Sequence, residues 1–255
     1  MRSRVRAVVL GLGGVAVLVL GWALAAASGS VAGVPAPADV ATALGGELTS
    51  DRLWSATAHT LLITLVATAI AAVLGVVIGA VVGMSPTMGR LLGSSINSLR
   101  FIPPVALIPV VLLVMGFGAG SEVTVAVFAA VWPVLLNVAA ASESLRTRYD
   151  DLTRIARLSP LARLTKIFVP GAIPATVVGL RVGAALALIL VIAVEMLAVP
   201  AGLGHEVRFA GDALQLPSMY AYIVWIGLLG VVVNTLINLA QRALPQRGAL
   251  PAASR

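Results

Sequence analysis

Apolar residues in this chain run in long blocks rather than alternating with polar ones. Six blocks stand out, at residues 8–27, 61–84, 102–117, 123–141, 177–199 and 220–239. A bilayer core takes about 20 consecutive apolar residues per helix, so the blocks predict six transmembrane helices. The third is short and carries Pro103, Pro104 and Pro109; proline is tolerated in a span when neighbouring groups satisfy the freed carbonyls. Between the first two blocks, residues 28–57 hold Gly, Pro, Asp and Glu without a long apolar run. That stretch predicts an extracytoplasmic loop with one short interfacial helix near 39–44.

Composition agrees: 60% of the 255 residues are hydrophobic and 11% charged, with a mean hydropathy of +1.05. A soluble domain keeps about a quarter of its residues charged, so the apolar excess here faces lipid. The net charge of +7 would suggest nucleic acid in a soluble chain, but its placement says otherwise. With the N-terminus inside, fourteen of the seventeen Lys and Arg residues fall in cytoplasmic segments, only Arg52 and Arg208 fall outside, and Arg181 sits in a span. Positive charge collects on the cytoplasmic side, which sets both termini there and excludes nucleic-acid binding. There is no cysteine, and the two histidines, His59 and His205, lie far apart, so neither a thiolate nor a histidine-based metal site is expected. The Arg-rich start and the Ala-Ala-Ala-Ser ending at Ser28 invite comparison with a signal peptide. The apolar run is longer than a signal core and reads as a retained helix; cleavage would leave five spans and an external N-terminus.

The expected fold is all-α and polytopic. An N-terminal transmembrane helix (1–28) precedes an extracytoplasmic loop (29–59), a membrane domain (60–244) and a cytoplasmic tail (245–255). Within that domain the longest cytoplasmic segment, 142–166, is unlike the other loops. Leu152, Ile155 and Leu158 recur at helical spacing while Arg154 and Arg157 point elsewhere. Ser159-Pro160 reads as an N-cap followed by proline at the first helical position. A short amphipathic helix beneath a membrane needs headgroups or a partner protein to cover its apolar face.

These residues resemble a known family. Asp151-Leu152-Thr153-Arg154, Leu158-Ser159-Pro160 and the run from Phe168 to Pro174 look like the signature cytoplasmic loop of binding-protein-dependent ABC importer permeases. That loop reads Glu-Ala-Ala-Arg, a Gly, and a Leu-Pro pair. Here Asp151 takes the Glu position, Leu152 and Thr153 the two alanines, and Arg157 the glycine. Arg in place of Gly would cost about 1 kcal/mol if a left-handed bend is kept there. Further stretches resemble the nitrate, sulfonate and taurine branch: Arg100 to Pro109, Gly116-Phe117-Gly118, Trp132 to Asn137, Gly179-Leu180-Arg181, Val194 to Leu197 and Gly202-Leu203-Gly204. The match runs in order over about residues 34–245.

The resemblance implies the type I importer permease fold and a multi-pass place in the bacterial inner membrane. The segment 143–168 would carry a coupling helix that docks on a cytoplasmic ATPase dimer through Asp151, Leu152, Arg154, Ile155, Arg157, Leu158 and Pro160. It also implies a second permease subunit, either another copy in a homodimer or a close relative, and an external substrate-binding protein. The cargo class would be nitrate, sulfonates, taurine or related small organic solutes. The chain has no phosphate-binding G-x-x-x-x-G-K-[ST] loop; it is expected to hold no cofactor, to catalyse nothing, and to rely on ATP bound by its partner.

Charged groups in spans usually face a bundle interior or an aqueous cavity. Glu195 and Arg181 lie about 21 Å apart along one helix and cannot pair. Each has two readings: a pathway or gating role, or a structural one, as a capping carboxyl for Glu195 and a snorkelling guanidinium for Arg181. Asn137, Asn234 and Asn238 suit hydrogen bonds between helices. Gly75, Gly79 and Gly83 form a small-residue row for close helix packing, within the subunit or across a dimer. In the outer loop 200–218, His205 and Arg208 are candidates for contact with the binding protein; a solvated connector fits equally. The alternatives to an importer permease are a secondary transporter or channel, which would need its own coupling-ion site and paired broken helices, and an integral-membrane enzyme, for which no catalytic spacing is present.

Overall fold

The computed structural model describes residues 2–28 and 33–243. The expected tail at 245–255 and the side chains of residues 2–9, Leu12, Arg154, Pro160 and 240–243 lie outside that description. The described chain is helical throughout, without a strand.

Helix α1 (Arg2–Ser28) stands nearly free, its residues from Val15 to Leu20 exposed. It meets the rest near its C-terminal end, where Trp22 Nε1 donates to the Pro35 carbonyl at 3.0 Å and the ring stacks on Tyr220. The short helix expected near 39–44 is α2 (Pro37–Glu47), opened by its proline. Helix α3 (Asp51–Met84) begins where Ser50 Oγ accepts from Leu53 N. Its 34 residues make a rod of about 51 Å, longer than a hydrocarbon core of about 30 Å. Ser85 then closes α3 and caps α4 (Pro86–Leu99).

The stretch 102–117 is not one continuous span. Proline lacks an N–H and pushes its predecessor out of the helical region. Pro103, which precedes Pro104, is accordingly extended (ψ 119°). A 3₁₀ turn (Pro104–Leu107) leads into the eight-residue α5 (Ile108–Met115), and this pair meets α4 at 81°. Gly116 and Gly118, both at positive φ, then turn the chain into α6 (Ala119–Ile155).

From Ile155 the chain turns into α7 (Pro160–Arg163), one wide π turn (Leu164–Phe168) and α8 (Val169–Ala198). Helices α9 (Leu203–Asp212) and α10 (Leu216–Ala243) complete the described chain. Among the described residues, four helical stretches are long and apolar enough to cross a membrane: Asp51–Met84, Ala119–Thr153, Leu161–Ala198 and Leu216–Leu239.

At the centre, α6 lies between α3 and α8, and the core they share is built mostly from Ala and Val, including Ala67, Ala71, Val125, Ala126, Ala130, Ala187 and Val191. Small residues let helix backbones approach in lipid. The glycine row on α3 does this within the subunit. A Cβ on Gly75 would come 2.7 Å from Val134 Cβ, and one on Gly79 would come 2.6 Å from the Leu135 carbonyl oxygen, both on α6. Gly179 and Gly183 of α8 press on α6 likewise, against Pro133, Val134 and Ala130. Gly79→Leu is therefore expected to cost about 1–3 kcal/mol or more through overpacking, measured by SDS titration of the protein in mild-detergent micelles. Gly93→Ala on α4, where a Cβ meets nothing within 4 Å, should lose no stability in the same assay.

Candidate functional site

Three polar features ride on α8, one at each end and one between. At the end next to the basic segment, α6 runs on through Leu152 and stops at Ile155. Arg157 adopts φ +46°, Leu158 N donates to Thr153 O at 3.1 Å and Ala156 N to Leu152 O at 2.9 Å, the bond pattern of a left-handed helix stop. The left-handed bend at the motif glycine position is thus kept, with arginine in it. Ser159 Oγ accepts from Ala162 N at 3.2 Å, the N-cap of α7. The turn leaves Ile155 81%, Leu161 69% and Leu152 58% exposed, an apolar knob with little cover from the described residues. Leu158 lies beyond the helix stop and is half-buried, so it does not continue the face of Leu152 and Ile155. Asp151 is exposed beside them.

The knob is braced from both sides. Arg163 Nη2 donates to Asp150 Oδ1 at 2.8 Å, and its guanidinium lies over the buried Phe168 ring at 5.5 Å. Gly171 at the start of α8 makes room for Leu145 of α6. A cavity of about 520 Å³ opens beside this brace, lined by Met84, Pro86, Arg146 and Asp150 among others.

At the far end of α8, Glu195 is fully buried. Its Oε1 accepts from Thr60 Oγ1 at 2.7 Å and its Oε2 from Gly204 N at 2.8 Å. Thr60 Oγ1 in turn accepts from Leu203 N at 2.9 Å. The carboxylate of α8 and the hydroxyl of α3 together satisfy the first backbone donors of α9, where a helix has orphan N–H groups and favours negative charge. The Gly202-Leu203-Gly204 triplet follows from this contact. Gly202 is at φ +89°, and a Cβ on it would overlap the Glu195 carboxylate; one on Gly204 would overlap the Ile192 carbonyl.

Beside Glu195 lies Glu122 at the start of α6, also fully buried, with both oxygens 3.2 Å from His59 Nε2. The ligand atoms of His59, Glu122 and Glu195 all lie within 4.8 Å of one another, so this set is the one that could hold a metal ion among the described residues. Its donors come from three helices, which counting histidines does not reveal.

Between the two ends, Arg181 is exposed, and its Nε donates to Asn234 Oδ1 of α10 at 2.8 Å. Asn137, by contrast, donates within its own helix to Pro133 O at 2.8 Å, the carbonyl one turn back. On α9, His205 stacks on Phe209, Arg208 Nη2 approaches His205 Nδ1 at 3.4 Å, and Arg52 of α3 lies over Phe209. Burial pushes the Glu206 carboxyl above its ordinary range, opposed by Arg52, whose Nε is 3.8 Å away, and by His205.

Residues 71–248 match the family described as "Binding-protein-dependent transport system inner membrane component". The chain belongs to that family. It is an inner-membrane permease component with several membrane-crossing helices. It is 31% identical over 154 residues to the nitrate import permease protein NrtB of Synechococcus elongatus, covering 59% of this chain and 55% of that one. It is 27% identical over 158 residues to the bicarbonate transport system permease protein CmpB of the same organism, covering 61% and 56%. The chain thus spans little more than half the length of these relatives. In three dimensions it is similar to the inward-facing MetNI methionine ABC transporter (TM-score 0.64, 18% identity, 75% of this chain and 95% of that). It is also similar to an amino acid ABC transporter with histidines (TM-score 0.63, 17% identity, 79% and 98%). These two likenesses establish the permease fold.

In this permease the groups that surround the sequence-predicted residues were harder to foresee: Thr60, Glu122 and His59 around Glu195, and Asp150 with Arg163 around the knob. A buried carboxylate in an apolar run needs donors, and Thr60 in the apolar part of α3 was the available signal. Thr60→Val should cost about 1–3 kcal/mol by orphaning Leu203 N and one Glu195 oxygen, read by SDS titration, whereas Thr60→Ser should stay near the wild type. Arg157→Gly should gain about 1 kcal/mol by relieving the left-handed arginine, read in the same way.

Proposed function

We propose that this permease is the membrane subunit of an ATP-driven importer and receives the ATPase movement through the knob at 151–166. One observation carries the proposal: Leu152, Ile155 and Leu161 stand exposed on a braced turn that joins two membrane-crossing helices. Exposed apolar groups on a rigid turn suit a socket on a partner protein. A socket that shifts the turn shifts α6 and α8 with it, because the Asp150–Arg163 pair and the Leu145–Gly171 contact leave the turn little freedom of its own. The chain carries no phosphate loop, so ATP is bound by a separate ATPase dimer and this subunit holds no cofactor.

Two copies enclose the pathway, each with six spans and cytoplasmic termini, α1 and the bent α4–α5 pair supplying the two beyond the four long apolar stretches. An external binding protein docks on the outer flank formed by α2 and α9, where His205 and Arg208 lie. Glu195 and Arg181 are assigned to gating: both ride on the helix that the knob drives, and Glu195 fastens α9 to it. The nitrate and bicarbonate relatives support a small anion or related small organic solute as cargo.

The test is Ile155→Asp in the tagged permease, recovered from its native membrane in mild detergent. A charge on the knob should reduce co-purified ATPase at least tenfold and abolish ATP-dependent uptake of the ligand found on the co-purified binding protein. Wild-type levels of both would remove the knob from the mechanism. Recovery of the wild-type permease without any ATPase, even after crosslinking, would return the secondary transporter or channel as the better reading.

A further inference from the structure

Helices α8 and α10 touch only lightly and leave a groove of about 420 Å³ between them. Its walls are apolar, with Leu188, Ile189 and Ile192 on α8 and Ile226 and Val231 on α10; the polar groups are Arg181 and Asn234, together at one end. The distance along α8 from Arg181 to Ile192 is about 16 Å, close to the half-thickness of a bilayer core, about 15 Å. Arg181 donates through Nε to Asn234, which fixes the guanidinium plane and leaves its Nη groups without a partner among the described residues.

We propose that this groove binds one anionic phospholipid, with the phosphate at Arg181 and an acyl chain lying along the apolar wall towards Ile192. The shape selects this occupant over a small anion: an inorganic or sulfonate ion would use Arg181 and leave some 16 Å of apolar wall uncovered, whereas an acyl chain covers it. The charge selects an acidic headgroup over a zwitterionic one, since the site offers a guanidinium and an amide but no carboxylate. Taking the end of α8 nearest the basic segment as cytoplasmic, the lipid belongs to the inner leaflet, where basic pockets between spans meet acidic headgroups. The lipid would wedge α8 from α10 and so bear on the helix that joins the knob to Glu195.

The test compares wild type, Arg181→Gln and Gly227→Phe, each purified from native membrane in mild non-ionic detergent. Phospholipid retained per protein is measured by mass spectrometry. The delipidated proteins are then titrated with phosphatidylglycerol or phosphatidylcholine while thermal unfolding is followed. Gly227 suits the second variant because a Cβ there meets nothing within 4 Å, so the ring can enter the groove without disturbing Arg181. Wild type should retain phosphatidylglycerol and be stabilised by it more than by phosphatidylcholine. Arg181→Gln should bind it about fivefold more weakly and lose the headgroup preference. Gly227→Phe should lose retention while still folding. Arg90→Gln, an exposed arginine on α4, should match the wild type. Equal retention in all four proteins, or no headgroup preference in the wild type, overturns the proposal. So does nitrate protecting wild type but not Arg181→Gln when phosphatidylglycerol does neither, which would make Arg181 a cargo contact. The chain is cysteine-free, so a disulfide-linked dimer of Ile189→Cys in native membrane would show the groove covered by a second copy and would equally overturn it. None of these readouts requires an ATPase or a binding protein, so they stand or fall apart from the importer reading.

Discussion

In hydrocarbon a backbone cannot turn to water, so helices must satisfy their own polar groups and gain stability by close approach. Helix α6 takes this to its limit. Gly75 and Gly79 from α3 and Gly179 and Gly183 from α8 bring foreign backbone against it at separations where a single methyl would collide. Because α3 and α8 both lean on α6, their relative position follows from its surface. The meeting of His59, Thr60, Glu122 and Glu195 from three helices depends on that position, and so does the reach of Arg163 to Asp150.

Those two polar clusters do opposite work at the two ends of one rod. At the knob, polar contacts hold a turn rigid while its apolar side chains stay open. At the far end, a carboxylate is wholly enclosed and used to anchor an outer helix. An aromatic and hydroxyl layer surrounds the anchored end. Trp225 donates to Thr57, Tyr222 to Glu47 and Trp54 to the Leu48 carbonyl, with the Trp54 and Trp225 rings edge to face. Such rings favour the membrane–water boundary, where one edge is wet and the other apolar. A push at the knob therefore meets a structure that is stiff along α8 and fastened at its far side.

Much of the architecture was legible in residue pattern. The long apolar blocks foretold the helices α3, α6, α8 and α10, and Ser159-Pro160 foretold the start of α7; the motif position of Arg157 marked where a left-handed bend would fall but left open whether an arginine keeps it. The break at 102–117 was visible as three prolines, but apolarity alone could not say whether neighbours would rescue the helix; Pro103 and Pro104 in succession decided against it. Leu158 followed helical spacing and yet left the face, because periodicity does not report where a C-terminal stop falls. The partners of Glu195 were hidden for a different reason: Thr60 is 135 residues away and Gly204 sits beyond the end of α8, and hydroxyl and glycine carry no mark of the carboxylate they serve.

The π turn at Leu164–Phe168 bears on how such a subunit can vary. A π turn holds one residue more than the helix around it needs, and one residue is about 100° of rotation in an α-helix. The angular phase between knob and outer anchor is therefore set in a single turn, apart from the length of the rod. Losing or gaining one residue there would swing Arg181 and Glu195 to new faces relative to the knob.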